Sequence, residues 1–104
     1  MAHCTVTDVE YRLGEDTGMD STINAYIAQA DEWITNEFDG FTMPNSVVLQ
    51  NISADYATSC FLNDLYAPHS ISDGVKAESL MKRAEKQLNS FKRADKTYAV
   101  QVNG

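Results

Sequence analysis

Apolar positions fall into four helical stretches and one alternating stretch. The first runs from Thr5 to Leu13, where Val6, Val9 and Leu13 lie near one helical face. Thr7 and Glu10 have the spacing of a capping box at its start, and Gly14 is placed to stop it. After the polar loop Glu15-Asp16-Thr17-Gly18, a second helix is expected over 20–38, with Asp20 or Ser21 as its N-cap. Its buried stripe is Ile23, Ile27, Ala30, Ile34 and Phe38. Tyr26 and Trp33 flank the stripe on one side, while Asp31, Glu32 and Glu37 stay off it. Asp31-Glu32 reads as exposed helix surface.

A third helix is expected over 44–66, opened by Pro44. It is apolar on nearly every side, and Asp55 and Asp64 are its only charges. A helix of that kind is buried on most sides, so it is expected at the centre of the fold. Ala67-Pro68-His69 breaks it. The fourth helix is expected from Ser72 or Asp73 to Ala94, capped by Asp73. Its stripe is Ala77, Leu80, Met81, Ala84, Leu88 and Phe91. Its exposed face carries Lys82, Arg83, Lys86, Lys92 and Arg93, with Glu78 and Lys82 spaced for an i,i+4 ion pair. The last stretch alternates as a strand does, with Tyr98, Val100 and Val102 on one side. A lone strand leaves its backbone groups unpaired, so 97–104 is either a free tail or a segment that adds to a sheet in another chain. The fold class is therefore mainly α, a compact bundle of about four helices with an extended C-terminal tail.

A chain of 104 residues with 43% hydrophobic content suits one small folded domain. No apolar run approaches the roughly 20 residues needed to span a bilayer, and the N-terminus lacks a basic-then-apolar leader pattern. The expectation is a protein made in cytoplasm, without a membrane partner. Cys4 and Cys60 are far apart and are expected to be reduced, Cys4 near a frayed end and Cys60 in the core. The net charge of −7 is unevenly spread. Residues 1–75 hold twelve acids and a single base, Arg12, whereas 76–104 hold seven bases and three acids. The acidic bulk argues against a general nucleic-acid binder, which needs a positive surface. The asymmetry suits a contact between the basic end of one subunit and an acidic surface on another.

Candidate chemistry is sparse. His3 and His69 lack a second ligand at metal spacing, and no phosphate loop, nucleophile elbow or dinucleotide fingerprint is present. Glu15, Asp16 and Asp20 share a loop but lack the ligand spacing of a calcium site. Cys60 and His69 form no recognisable catalytic pattern. The expectation is no enzyme activity, no metal and no cofactor, and a function exercised through contact.

The order of elements then supports a resemblance. "CTVTDVEYRLG", "DSTINAYIAQADEWITNEF" and "PNSVVLQNISADYATSCFLNDLY" follow one another as a capped short helix, a long helix and a proline-started helix. Across roughly residues 4–94 this resembles the small head–tail connector, or adaptor, proteins of tailed bacteriophages and archaeal tailed viruses. The pattern I..YI..A..WI...F over Ile23–Phe38 carries most of it. The resemblance implies a helical adaptor domain over 1–96 and a tail over 97–104, in a virion neck. It also implies a ring of typically twelve copies, docked on the portal protein and above a tail or stopper protein, through which DNA passes without sequence-specific binding. Lys82, Arg83, Lys86, Lys92 and Arg93, with Tyr98, Val100 and Val102, are the candidate partner-binding residues. The alternative is a small helical regulatory or protein-interaction module acting as a dimer.

Overall fold

Thr5 begins the fold by closing the first helix, α1 (Val6–Leu13), with its side chain. Its hydroxyl accepts from the Asp8 N–H, and Asp8 accepts from the Thr5 N–H at 2.9 Å. The capping box is thus Thr5 with Asp8, two residues earlier than Thr7 with Glu10. Glu10 instead accepts from the Thr17 N–H at 2.9 Å and ties down the following loop. Gly14 ends α1 in the left-handed region at φ 83°, donating to the Glu10 carbonyl.

The structure, a computed structural model, describes residues 2–66 and 70–103, and side chains up to Lys92. The described residues form four helices, α1, α2 (Asp20–Glu37), α3 (Ser46–Leu65) and α4 (Ile71–Asn103). The mainly helical bundle expected from periodicity is what forms. The extended tail was expected over 97–104, with Tyr98, Val100 and Val102; the backbone there is described to Asn103 as part of α4, and its side chains lie outside the described ones. The break expected at 67–69 lies outside the described residues.

Three caps differ from expectation. Met19 precedes α2 without a side-chain cap, and Asp20 stands in the first turn. Asn45 caps α3 by accepting from the Val48 N–H at 3.1 Å, leaving Pro44 outside the helix. Ser70 caps α4 by accepting from the Asp73 N–H at 3.3 Å, so Asp73 is capped rather than capping.

The core follows the stripes. Ile23, Ile27, Ala30, Ile34 and Phe38 of α2 are all buried, as are Ala77, Leu80, Ala84 and Leu88 of α4. Phe91 departs from its stripe and is 40% exposed. Helix α3 is central, packing against α1, α2 and α4. It is also the helix whose polar groups are most deeply buried, with Ser53, Asp55, Thr58 and Ser59 all inside. Small side chains at these positions let α4 approach closely, and the Ser59 hydroxyl donates to the Ala77 carbonyl across the seam. The Thr58 hydroxyl has no hydrogen-bond partner among the described residues.

Asp55 is 1% exposed, and burial of a lone carboxylate is costly. Two arginines from different helices compensate it. Arg12 of α1 donates Nε to Oδ1 at 2.6 Å. Arg83 of α4 donates Nε to Oδ2 at 2.7 Å and NH2 to Oδ1 at 2.6 Å, a two-point clamp. Arg12 also reaches Asn51, and Gln50 donates to Asp8, so polar contacts flank the apolar packing of Val9 between α1 and α3. Cys4 is buried at 4% exposure rather than frayed, and its sulfur accepts from the Ser53 hydroxyl. That hydroxyl also reaches Asp31, which accepts in addition from the His3 N–H at 3.2 Å. Asp31 therefore pins the N-terminus to α2 and α3, whereas its spacing suggested plain surface.

Two outcomes follow. Asp55→Ala leaves two arginines converging without a counter-ion and is expected to cost about 3 kcal/mol, read from urea unfolding. Asp8 is held below the usual carboxylate range: burial pushes it up, but hydrogen bonds from the Thr5 N–H, Gln50 and the Thr5 hydroxyl, with nearby Arg12, outweigh that. A depressed carboxyl stabilises above its unfolded pKa of about 3.9 and loses that contribution as pH falls through its folded value. Thermal melts should show wild type above Asp8→Asn at pH 7 and the gap closing below about pH 4.

Candidate interaction surfaces

The basic residues of α4 divide by position on the helix. Arg83 is consumed by Asp55, so it holds the fold together rather than standing free on an outward face. The same hydrogen bonds push its guanidinium pKa further up. Lys92 sits 3.1 Å from Glu37 Oε2 of α2 and lies over the Phe41 ring, 5.2 Å from its centre. Lys82 pairs with Glu78 one turn back at 2.8 Å, fully in solvent. Lys86 is exposed and makes no ion pair among the described residues. Arg93, Tyr98, Val100 and Val102 lie outside the described side chains. Of the expected basic face, Lys82 and Lys86 remain directed outward, on the same face as Val75, which is 59% exposed.

A second surface was not legible as a unit in the sequence. Helices α2 and α4 each pack along α3 and hardly against each other, so a trough runs between them with α3 as its floor. One part is lined by Trp33, Glu37, Tyr56, Met81, Glu85 and Leu88. The adjoining part lies between α3 and α4 alone, lined by Ser59, Asn63, Ala77, Glu78 and Lys82, and the two share Met81 and Glu85. Its residues on α4 run from Gly74 to Asn89, which is roughly 22 Å of helix.

Trp33 and Tyr56 stack inside it, ring centres 4.3 Å apart and planes 17° from parallel. Burial, then Cys60 and Glu85, push the Tyr56 phenol up, so it stays neutral. Beyond the trough, Tyr26 donates to Asp64 at 2.8 Å and meets the Phe61 edge. The only carboxylates of the trough are Glu37, already holding Lys92, Glu78, paired with Lys82, and Glu85, which has no ion-pair partner among the described residues. The part around Trp33 is thus aromatic and thioether along its wall and acidic at its rim, whereas the adjoining part carries the Glu78–Lys82 pair.

The other sequence candidates do not converge. Glu10, Asp16 and Asp20 line a shallow hollow at the α1–α2 loop, where Asp16 accepts from the Gly18 N–H. No group of three or more His, Cys, Asp or Glu able to hold a metal occurs among the described residues. His69 lies outside the described residues, and His3 contributes its backbone N–H to Asp31. Both cysteines are free. Burial raises the Cys4 thiol to about 11, only partly offset by the Ser53 hydrogen bond. No described helix is long and apolar enough to cross a membrane. Comparison with protein-family models, curated proteins and solved structures gives no match to this chain.

Trp33 is half-buried against Tyr56. Trp33→Ala is expected to cost about 2–3 kcal/mol, less than the roughly 3–5 of a wholly buried tryptophan, because one face stays open. Unchanged thermal melting of that variant would mean that the stack contributes nothing to the fold.

Proposed function

We propose that this chain is a non-enzymatic structural subunit that assembles with copies of itself into the head–tail connector ring of a tailed virus, in the virion neck. A ring closes only when each subunit carries two unlike surfaces that recognise each other. The observation that carries the reading is the double role of α4. Its outward face presents Lys86, with Lys82 at the edge shared with the trough, while its flank supplies Met81, Glu85 and Leu88 to the aromatic part of the trough, where the charges are acidic. One helix thus serves two surfaces of opposite character, and charge complementarity of this kind fixes register and orientation between copies.

In this reading the ring, of the twelvefold type that the resemblance implies, docks on the portal protein and receives a tail or stopper protein on its other side. The net charge of −7 suits a channel through which DNA passes without adhering. Because three of the described bases on α4 already pair within the subunit, contacts between subunits rest on few charges and on the apolar surface beside them.

Sedimentation velocity at 0.1 M and 1 M salt tests the reading. The expected result is a closed species larger than a dimer at the lower salt, shrinking at the higher, where the Debye length falls from about 10 Å to about 3 Å. Lys82→Glu with Lys86→Glu should weaken that species with helix content unchanged. A dimer of constant mass at every concentration and salt would favour the regulatory module instead. Mass spectrometry of purified virions locates the protein directly.

A further inference from the structure

Two described surfaces of the molecule lack a partner, and α4 contributes to both. The first is the part of the trough around Trp33. Trp33 and Tyr56 stack there, and Met81 and Leu88 continue the apolar lining. Its charges are Glu37 and Glu85, and Glu85 makes no ion pair among the described residues. The second surface is the outer face of the first turns of α4. Ile71 is 89% exposed and Val75 59%. They stand one turn apart, and Lys82 and Lys86 continue the same face about two and three turns beyond Val75. Among the large apolar side chains exposed in the described residues, Ile71 and Val75 alone share a helix face.

The two surfaces match in chemistry and in order. In the trough, the apolar contact of Met81 with the Trp33 wall comes first along α4, and Glu85 follows it. Glu37 stands further on, since it is the carboxylate that Lys92 reaches. On the outer face, Ile71 and Val75 come first and the lysines follow. Both surfaces therefore run from apolar to charged in the direction of the chain, with opposite charge. We infer that the part of the trough around Trp33 is the docking site for the outer face of α4, from Ile71 to Lys86, of a second copy of this chain lying parallel to it. Val75 of one copy meets Trp33 and Met81 of the other, and its Lys82 and Lys86 meet Glu85 and Glu37. An antiparallel helix would carry the lysines toward the Gly74 end, away from both carboxylates. The Glu78–Lys82 pair is exposed, and a pair of that kind exchanges partners at little cost. With Val75 level with the neighbour's Met81, the two α4 helices are staggered by about 9 Å. A two-fold axis along parallel helices permits no stagger, so the contact is head to tail and repeats from copy to copy. This inference rests on the self-assembling reading above and adds the identity of both contact surfaces to it.

Full-length variants test it. Ile71→Gln with Val75→Gln removes the apolar part of the outer face at exposed positions. Glu85→Lys reverses the charge of the trough. Each should self-associate at least about tenfold more weakly than wild type. Lys82→Glu with Lys86→Glu should do the same, and an equimolar mixture of that protein with Glu85→Lys should recover association, because every copy then finds an oppositely charged neighbour. Trp33 is the single tryptophan of the chain, so its emission reports occupancy of the trough. That emission should shift with concentration in wild type and stay constant in the Ile71→Gln, Val75→Gln protein. Circular dichroism of each variant, matched to wild type, shows that folding is intact.

Other results overturn the inference in distinguishable ways. Unaltered association of the Ile71→Gln, Val75→Gln and Glu85→Lys proteins, in a chain that still forms rings, removes this contact and leaves the ring reading standing. A concentration-dependent Trp33 shift that survives Ile71→Gln with Val75→Gln gives the trough to a different occupant. Weakening of both charge variants without recovery in their mixture separates Glu85 from the lysines. A species that stops at two copies with the Trp33 shift complete replaces the head-to-tail contact by a reciprocal one. Absence of any self-association in wild type removes both the contact and the ring.

Discussion

A carboxylate with almost no contact with water sits where three helices meet, and the bundle is arranged around keeping it satisfied. Asp55 needs cations from outside its own helix, and it receives them from α1 and α4. The apolar stripes make the helices associate, but they tolerate sliding and rotation, because hydrophobic burial has no direction. Two guanidinium groups on one carboxylate do have direction. The short first helix is the clearest beneficiary. It has eight residues, too few to be stable alone, and a single fully buried apolar side chain, Val9. Its position depends on Arg12 reaching Asp55 and Asn51 and on Asp8 receiving Gln50.

The regular part of this architecture was legible in the sequence because it obeys a period. The stripe of α2 and the small-and-large stripe of α4 recur at helical spacing, so their buried faces could be named residue by residue. The central place of α3 followed from its want of a polar face. What escaped were polar contacts between residues distant in the chain: Arg12 with Asp55 across 43 positions, Arg83 with Asp55 across 28, Ser53 with Cys4 across 49. No local pattern encodes such pairs. A partial signal did exist. Asp55 is an isolated charge inside a helix apolar on all sides, and Arg12 is the lone base in the first three-quarters of the chain. A buried charge demands a partner, and that scarcity points to Arg12 as one of very few available.

The same distinction separates the two interaction surfaces. The outward lysines of α4 could be placed from helical spacing alone, yet spacing could not tell which bases the fold itself employs. Arg83 and Lys82 are neighbours in sequence, about 100° apart around the helix, and have different duties: one clamps a buried acid, the other pairs in solvent. The trough was invisible because its wall joins Trp33, Tyr56 and Met81 from three helices. Tyr26 and Trp33 were seen to share a side of α2, but what stood across from them depended on how α2 and α4 straddle α3.

The clamp on Asp55 also has a mechanical meaning. The longest described helix is α4, and a force directed along it meets that clamp. To slip along α3, α4 would have to move by about a turn, roughly 5.4 Å, before its side chains found new grooves. That step would pull Arg83 off both oxygens of Asp55 and carry the Ala77 carbonyl away from Ser59. Greasy packing yields gradually under shear, whereas this junction yields only by breaking charged hydrogen bonds together. Helices α3 and α4 should therefore behave under load as one stiff strut, deforming last, while the short first helix and the loops take up the strain.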